Sequence, residues 1–247
     1  DVAAFYYDYD GFQQPISVSV NGILEGAFVN VPKAESTGIE FEGVWSPVRD
    51  LIVTGSYSYD YTAILTGCSG TVGAGGFAPN PGALCVVDTQ DPDAVAPGAH
   101  PAAGTVAGAT RDQSVKGAPL VNAPRNKVAV DVAYTWHFDP GNLTLSGAYV
   151  WRDTQEGAIF NRFYNTAPSW SDVDLRAIWS GNHDRYEIIG FVKNVFNTIQ
   201  YDTGSGGAGL TGNNVMAFSP AKALNWVNVY NIAPPRTFGV EVRYKFF

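Results

Sequence analysis

The sequence predicts an all-β chain and, within that class, an antiparallel transmembrane β-barrel. Three observations predict it. Apolar and polar residues alternate over runs of about ten, the length that crosses a bilayer at a steep tilt, whereas strands in general average about half that. Aromatic residues gather at the ends of the apolar faces, as in the interfacial girdles that flank the apolar band of a barrel. The links between runs alternate between short and long. A soluble sandwich also alternates, with one face to water and one to the core. It offers no reason for the other two features.

Each element follows from period-two patterning. Residues 3–9 read as a first strand and 39–45 as a second, with Glu40 and Glu42 on its polar face. In 51–61, Leu51, Val53, Gly55, Tyr57, Tyr59 and Tyr61 oppose Ile52, Thr54, Ser56, Ser58 and Asp60. In 127–136, Val128, Val130, Val132, Tyr134 and Trp136 oppose Lys127, Ala129, Asp131, Ala133 and Thr135. Residues 143–152 set Leu143, Leu145, Gly147, Tyr149 and Trp151 against Thr144, Ser146, Ala148, Val150 and Arg152. Residues 172–179 set Val173, Leu175, Ala177 and Trp179 against Asp172, Asp174, Arg176 and Ile178. Residues 186–195 form a strand whose alternation is blurred by Ile189 and Phe191. Residues 238–246 close the series, with Glu241, Arg243 and Lys245 on the polar face. The count is about eight.

Trp45, Trp136, Trp179 and Tyr244 fall at one end of the apolar faces, and Tyr59, Tyr61 and Trp151 at the other. Residues 46–50, 139–142 and 180–184 are tight links rich in Pro, Gly, Asp and Asn. The links around 17–26, 66–119, 153–169 and 203–233 are long. All short links then share one end of the sheet. Barrels of the outer membrane have short periplasmic turns and longer extracellular loops, and an even strand count returns the C-terminus to the short-turn side.

Composition narrows the function classes. The chain is 45% hydrophobic but only 15% charged, without a run of about 18 apolar residues that would make a spanning helix. A share of 13% aromatics excludes a disordered chain, and two cysteines exclude a disulfide miniprotein. A net charge of −8 speaks against a nucleic-acid partner. The start, Asp1-Val2-Ala3-Ala4-Phe5, lacks the features of a signal peptide and reads as strand, which suits a mature chain or a piece of a longer one.

Five segments carry a resemblance. PRTFGVEVRYKFF (235–247) resembles the last strand of TonB-dependent outer-membrane receptors. FVKNVFNTIQY (191–201) is similar to their penultimate strand, and AESTGIEFEG (34–43) to their Gly-x-Glu strand. NAPRNKVAV (122–130) resembles a loop-to-strand segment, and AAFYYDYDGFQ (3–13) an ascending strand. The segments follow the family's order over almost the whole chain. The resemblance implies a barrel of 22 strands around a plugged lumen, of which residues 1–247 supply about the last eight in one domain. The plug and the earlier strands are then absent from this chain, and an edge at residues 1–13 is expected to need a partner strand. Tyr244, Phe246 and Phe247 would form the terminal assembly signal, although Phe247 lies one residue beyond the alternation of Phe238, Val240, Val242, Tyr244 and Phe246.

The resemblance also orders the candidate sites. Glu40, Glu42, Asp60, Asp131, Arg152, Asp172, Asp174, Arg176, Glu241 and Arg243 would line the lumen. Cys68 and Cys85, in the longest loop on the oxidising outer side, are expected to form a disulfide. Phe218, Asn225, Trp226, Asn228 and Tyr230 combine aromatic faces with amides in an outer loop, which suits ligand stacking and hydrogen bonding.

Other motifs carry less. Gly204 to Gly209 matches a dinucleotide fingerprint, but no helix pattern follows, so a flexible loop is expected. Asp88, Asp91 and Asp93 lack calcium-loop spacing. His100, His137 and His183 do not converge. No catalytic residue, metal site or cofactor is expected. The expected partners are the remaining barrel strands and plug, the TonB complex through the plug, outer-membrane lipid, and an extracellular ligand such as a siderophore or carbohydrate. The function implied is active uptake of a scarce, bulky nutrient such as a ferric siderophore. The alternative is a structural or adhesive barrel whose loops bind a partner protein or surface glycan.

Overall fold

The computed structural model describes residues 1–20, 23–73, 76–84, 115–159, 165–181, 185–208 and 226–246. Every regular element among them is a strand. These are β1 (Val2–Val20), β2 (Ile23–Trp45), β3 (Leu51–Ile64), β4 (Gly70–Gly73), β5 (Gly76–Pro79), β6 (Asn126–Phe138) and β7 (Gly141–Arg152). They continue as β8 (Gln155–Glu156), β9 (Thr166–Ala167), β10 (Trp170–Gly181), β11 (Tyr186–Lys193), β12 (Tyr201–Ala208), β13 (Trp226–Ile232) and β14 (Thr237–Tyr244). Eight form one antiparallel sheet in the order β1-β2-β3-β6-β7-β10-β11-β14. Hydrogen-bonded neighbours are thus consecutive wall strands, and β1 and β14 form the two edges. The pairs β4-β5, β8-β9 and β12-β13 are separate two-stranded ribbons within the long links.

The register explains why the alternation was strict. Directly opposed residues share a face. Trp45 opposes Val53, Val53 opposes Val132, Val132 opposes Gly147, and Gly147 opposes Leu175. A continuous apolar face results. Its side chains are open: Phe238 is 80% exposed, Val240 74% and Trp45 64%. So much apolar surface facing outward has no core to enter, and a hydrocarbon solvent accounts for it.

Ile189 and Phe191 blurred the pattern for local reasons. Both stand on the opposite, charged face. Ile189 is buried and opposes Ile178, while Phe191 opposes Gly239. A Cβ on Gly239 would come within 2.8 Å of the Phe191 ring, so the ring covers the glycine. Phe5 covers Gly38 in the same way, at 2.6 Å, from the directly opposed position. Glycine leaves a gap in a sheet face, and a cross-strand aromatic fills it.

Four expectations change. The link around 17–26 is not a loop: β1 continues to Val20 and β2 begins at Ile23 in unbroken register. Gly11, at φ 67, turns the β1 backbone so that the Tyr9 and Phe12 rings meet at 5.6 Å. The strand expected over 186–195 ends at Lys193, because Asn194 takes φ 52 and leaves the ladder. Gly204 to Ala208 are strand, not flexible loop, and pair with β13, while Gly209 lies outside the described residues. The link 203–233 is thus largely a ribbon at its two ends.

Where the long link leaves β3, its far end folds back. Gly117 N donates to Ile64 O at 2.7 Å and Ile64 N to Ala118 O at 2.9 Å. This adds a rung to the end of β3. Around it Val31, Ala34, Ile64, Leu84, Val115, Ala118 and Ile159 pack into a small buried cluster, with Tyr9 and Phe12 at its border.

Candidate functional site

The wall and its loop-side rim form the candidate ligand surface. On the wall, register places all ten residues expected to line a lumen on a single face: Glu40 and Glu42 of β2, Asp60 of β3, Asp131 of β6, Arg152 of β7, Asp172, Asp174 and Arg176 of β10, and Glu241 and Arg243 of β14. They are spread along the face rather than gathered at one point. Arg243 binds Glu241 Oε1 at 2.6 Å and reaches Glu187 at 3.8 Å. Asp60 accepts from Ser36 Oγ at 2.7 Å. Asp174 Oδ1 accepts the Asn194 backbone N–H at 2.8 Å. One oxygen of Asp172 is buried without a partner.

The assembly of the rim leaves no mark in the strand periodicity. Arg152 ends β7 and is 8% exposed. Its Nη1 donates to Asp202 O at 3.3 Å, and its Nη2 to Pro168 O at 3.4 Å and to Tyr201 O. Trp170, opposite it in register, donates Nε1 to Tyr201 O at 3.0 Å, and its ring lies 5.6 Å from the guanidinium carbon. Gln155 Nε2 donates to Asp202 O and, at 3.3 Å, to Asn122 Oδ1. Three side chains therefore converge on two adjacent carbonyls at the start of β12. The β12-β13 ribbon is clasped to the top of the wall, and Tyr201 meets Tyr230 of β13 ring to ring at 4.9 Å.

Beside the clasp, Asp60, Thr62, Arg125, Asp153, Gln155 and Glu156 line a cavity of ≈ 190 Å³. Its carboxylates are engaged. Asp153 accepts from Asn126 Nδ2 at 3.0 Å and from Thr154 N at 2.8 Å. Glu156 accepts from Thr166 Oγ1 at 3.1 Å. Burial raises the Glu156 carboxyl above its ordinary range, and the Thr166 hydroxyl partly counters it. A second cavity, ≈ 370 Å³, lies along the charged face and is lined by Glu40, Glu42, Ser56, Ser58, Lys127, Arg152 and Trp170 among others. That volume falls in the range of small-molecule clefts.

The loop-ligand candidates are only partly within view. Register pairs Trp226 with Ala208, Asn228 with Gly206 and Tyr230 with Gly204. Phe218 and Asn225 lie outside the described residues, as do His100, His183, Asp88, Asp91 and Asp93. Cys68 is disulfide-bonded, and Cys85 lies outside the described residues. Tyr244 ends β14 and stacks edge-on against Phe246 at 5.1 Å, while Phe247 lies outside. His137 sits at the turn end. Its Nε2 is 3.0 Å from Asp50 Oδ1 and its Nδ1 2.8 Å from Asn142 Oδ1.

The turn after β11 was missed by the sequence reading. Asn194 and Asn197 both adopt positive φ. Asn194 Nδ2 donates to Thr198 O and its Oδ1 accepts from Thr198 N, each at 2.8 Å. Asn197 Oδ1 accepts from Arg236 N at 3.0 Å. Asparagine tolerates this conformation better than other side chains, so the Asn-Val-Phe-Asn spacing held a readable turn signal.

A family model described as TonB dependent receptor-like, beta-barrel, matches residues 1–197. Among solved structures, the chain is similar to the ferric yersiniabactin uptake receptor FyuA from Yersinia pestis, at 16% identity and a TM-score of 0.60, covering 100% of this chain and 27% of that one. It is similar to the siderophore receptor PiuA from Acinetobacter baumannii, at 13% identity and TM-score 0.57, covering 98% and 25%. It is also similar to the ferric-catecholate import receptor Fiu from K12 E. coli, at 12% identity and TM-score 0.53, covering 98% and 24%. At such identities the likeness is one of fold. The chain spans about a quarter of the length of these structures. No curated protein sequence gives a significant match.

Proposed function

Because this chain belongs to the TonB-dependent receptor β-barrel family, whose members are receptors and transporters of the bacterial outer membrane and not enzymes, we propose that it forms part of the wall of an energised nutrient transporter. The charged face lines the lumen and the apolar face meets lipid. The observation that carries this reading is the two-faced register: ten charged side chains fall on one side of eight strands and the open apolar residues on the other. Among the described residues no second layer covers the apolar face, and lipid outside with a polar interior satisfies both faces.

On this reading the short turns face the periplasm and the clasped rim faces outward. The free edges of β1 and β14 pair with barrel strands beyond this chain, and a plug occupies the lumen. Cargo binds at the rim, and energy relayed through TonB to the plug opens a path along the charged face. The cargo is a ferric siderophore, a reading supported by the likeness to a siderophore receptor and to receptors for ferric yersiniabactin and ferric catecholate. Phe218, Asn225, Trp226, Asn228 and Tyr230 contribute to its capture, and a Cys68–Cys85 disulfide restrains the longest loop.

The test is uptake by cells carrying the intact protein, with iron supplied as radiolabelled ferric siderophores of several chemical classes. Accumulation of one class that stops on deletion of TonB is expected. Accumulation that persists without TonB overturns the energised reading. Binding of a surface glycan, without uptake, supports the adhesive alternative.

A further inference from the structure

One row of the charged face holds a conflict. Register sets Glu40 opposite Ser58, Ser58 opposite Lys127, Lys127 opposite Arg152, and Arg152 opposite Trp170. Lys127 and Arg152 are therefore like charges facing each other directly across two strands. Such a pair destabilises a sheet unless an anion sits beside it. Among the described residues only the Asp202 carboxylate acts on Arg152, without an ion pair, and no ion pair reaches Lys127. Lys127 forms no ion pair or side-chain hydrogen bond there.

Arg152 is almost wholly buried and donates only to neutral carbonyls, and its Nε has no acceptor. The two carboxylate residues at the clasp do not resolve this. Asp153 is spent on Asn126 and Thr154, and Asp202 gives Arg152 its carbonyl but no ion pair. A buried guanidinium whose one counter-charge, the Asp202 carboxylate, stays beyond ion-pair distance is costly, and a cavity of ≈ 370 Å³ opens on it, on Lys127, on Ser58 and on Trp170.

We propose that this row is a subsite for the carboxylate, or a similar oxyanion, of a ring-bearing solute. The anion meets Lys127 Nζ and Ser58 Oγ, with the Arg152 charge behind them and the Trp170 indole as a flat neighbour for the ring. Glu40 and Glu42 line the same cavity. Glu40 stands two strands from Lys127, or about 10 Å at the usual strand spacing. Both carboxylates repel an anion and accept hydrogen bonds, so they orient the solute with its acid end toward Arg152 and its donors toward β2. This inference rests on the reading of the charged face as the lumen wall and names the chemistry that wall selects.

The probes are benzoate and benzamide, which share a ring and shape but differ in charge. Each is titrated into the intact outer-membrane protein in detergent at low ionic strength, with binding read by ligand-observed NMR. Benzoate is expected to bind in the millimolar range and benzamide at least about tenfold more weakly. Lys127→Met is expected to weaken benzoate by about tenfold, and Lys127→Arg to keep it within about threefold. Lys127→Met also removes the cross-strand repulsion, so without benzoate the variant unfolds at a higher temperature than the parent. Benzoate then stabilises the parent and not the variant.

No benzoate binding, equal binding of benzamide, or an unchanged affinity in Lys127→Met overturns the proposal. A lumen already filled by a polypeptide carboxylate gives the first of these results. TonB-independent uptake would remove the transport reading while leaving benzoate binding intact, so the two failures are distinguishable.

Discussion

At the turn end of the sheet, β2 passes to β3 and β6 to β7 through short links, and His137 joins the two turns by touching Asp50 and Asn142. At the rim, β7 passes to β10 through the β8-β9 ribbon, and Arg152, Gln155 and Trp170 reach out to grasp backbone carbonyls of β12. The turn end is held by neighbours in sequence and register. The rim is held by side chains about 30 to 50 residues from the groups they hold. One end is what the alternating strands produce unaided. The other is an added assembly, and it is where a ligand would meet specific geometry.

The contrast can be broken from the rim side. Arg152→Ala removes three charge-assisted bonds, leaving Tyr201 O to Trp170 and Asp202 O to Gln155. A loss of about 3 kcal/mol is expected, confined to the clasp. Amide hydrogen exchange in β12 and β13 should accelerate strongly while β6 and β7 remain protected. Uniform acceleration across the wall would show that the rim is not a separable assembly.

The wall has its own breaking point. Val240 sits in the middle of β14 with its side chain open. Val240→Lys places a charge on the lipid-facing side and should cost about 2–4 kcal/mol near the bilayer midplane. Glu241→Gln, one residue along on the charged face, should cost far less, because its Arg243 contact is exposed and screened by water. Heat-modifiable gel migration after refolding into lipid reads both. Equal losses would abolish the assignment of faces.

A smaller effect sharpens the boundary between wall and rim at the β11 turn. Asn194→Ala loses both bonds to Thr198 and forces a Cβ residue to hold φ 52, for about 2 kcal/mol in all. Asn194→Gly keeps the conformation and should cost about half of that. Thermal unfolding of the pair separates backbone strain from the side-chain clamp.

The smallest expected effect is one of pH. Burial holds the folded Glu156 carboxyl above its unfolded value, so the folded state prefers the proton. The β8-β9 ribbon should be firmest in mild acid and loosen as pH rises through the window between the two values. Exchange of its amides followed across that window should show the trend. Glu156→Gln should flatten it, and a ribbon that tightens with rising pH would contradict the assigned cause.

Most of the wall was legible because a two-faced sheet writes its geometry into every second residue. The runs at Leu51, Lys127, Leu143 and Asp172 extended by a few residues, and nothing in them changed face. The β1-β2 ribbon was less legible. Its upper part keeps the ladder from Ile16 opposite Ala27 to Val20 opposite Ile23, where a long link around 17–26 was expected. The clasp left no trace in periodicity, because Arg152 looks like any charged residue on a lumen-facing strand. Only three-dimensional proximity reveals that its partners are carbonyls of a distant ribbon. Asn194 and Asn197 fall between these cases: their residue types announce a turn, but the run of Ile188 to Val192 before them drew the strand assignment too far.

The covered glycines of the charged face bear on permeation. Phe5 reaches over Gly38 and Phe191 over Gly239, each ring against the backbone of the neighbouring strand. An aromatic held this way occupies the thickness of the wall and not the bore. A methyl group at Gly239 would press on the Phe191 ring and push it off the wall, whereas one at Gly38 would first meet the Tyr59 carbonyl oxygen of the next strand. On the proposed reading of the charged face as a lumen wall, Gly239→Ala would narrow the bore through a side chain that is itself unchanged, and the largest solutes would be excluded first.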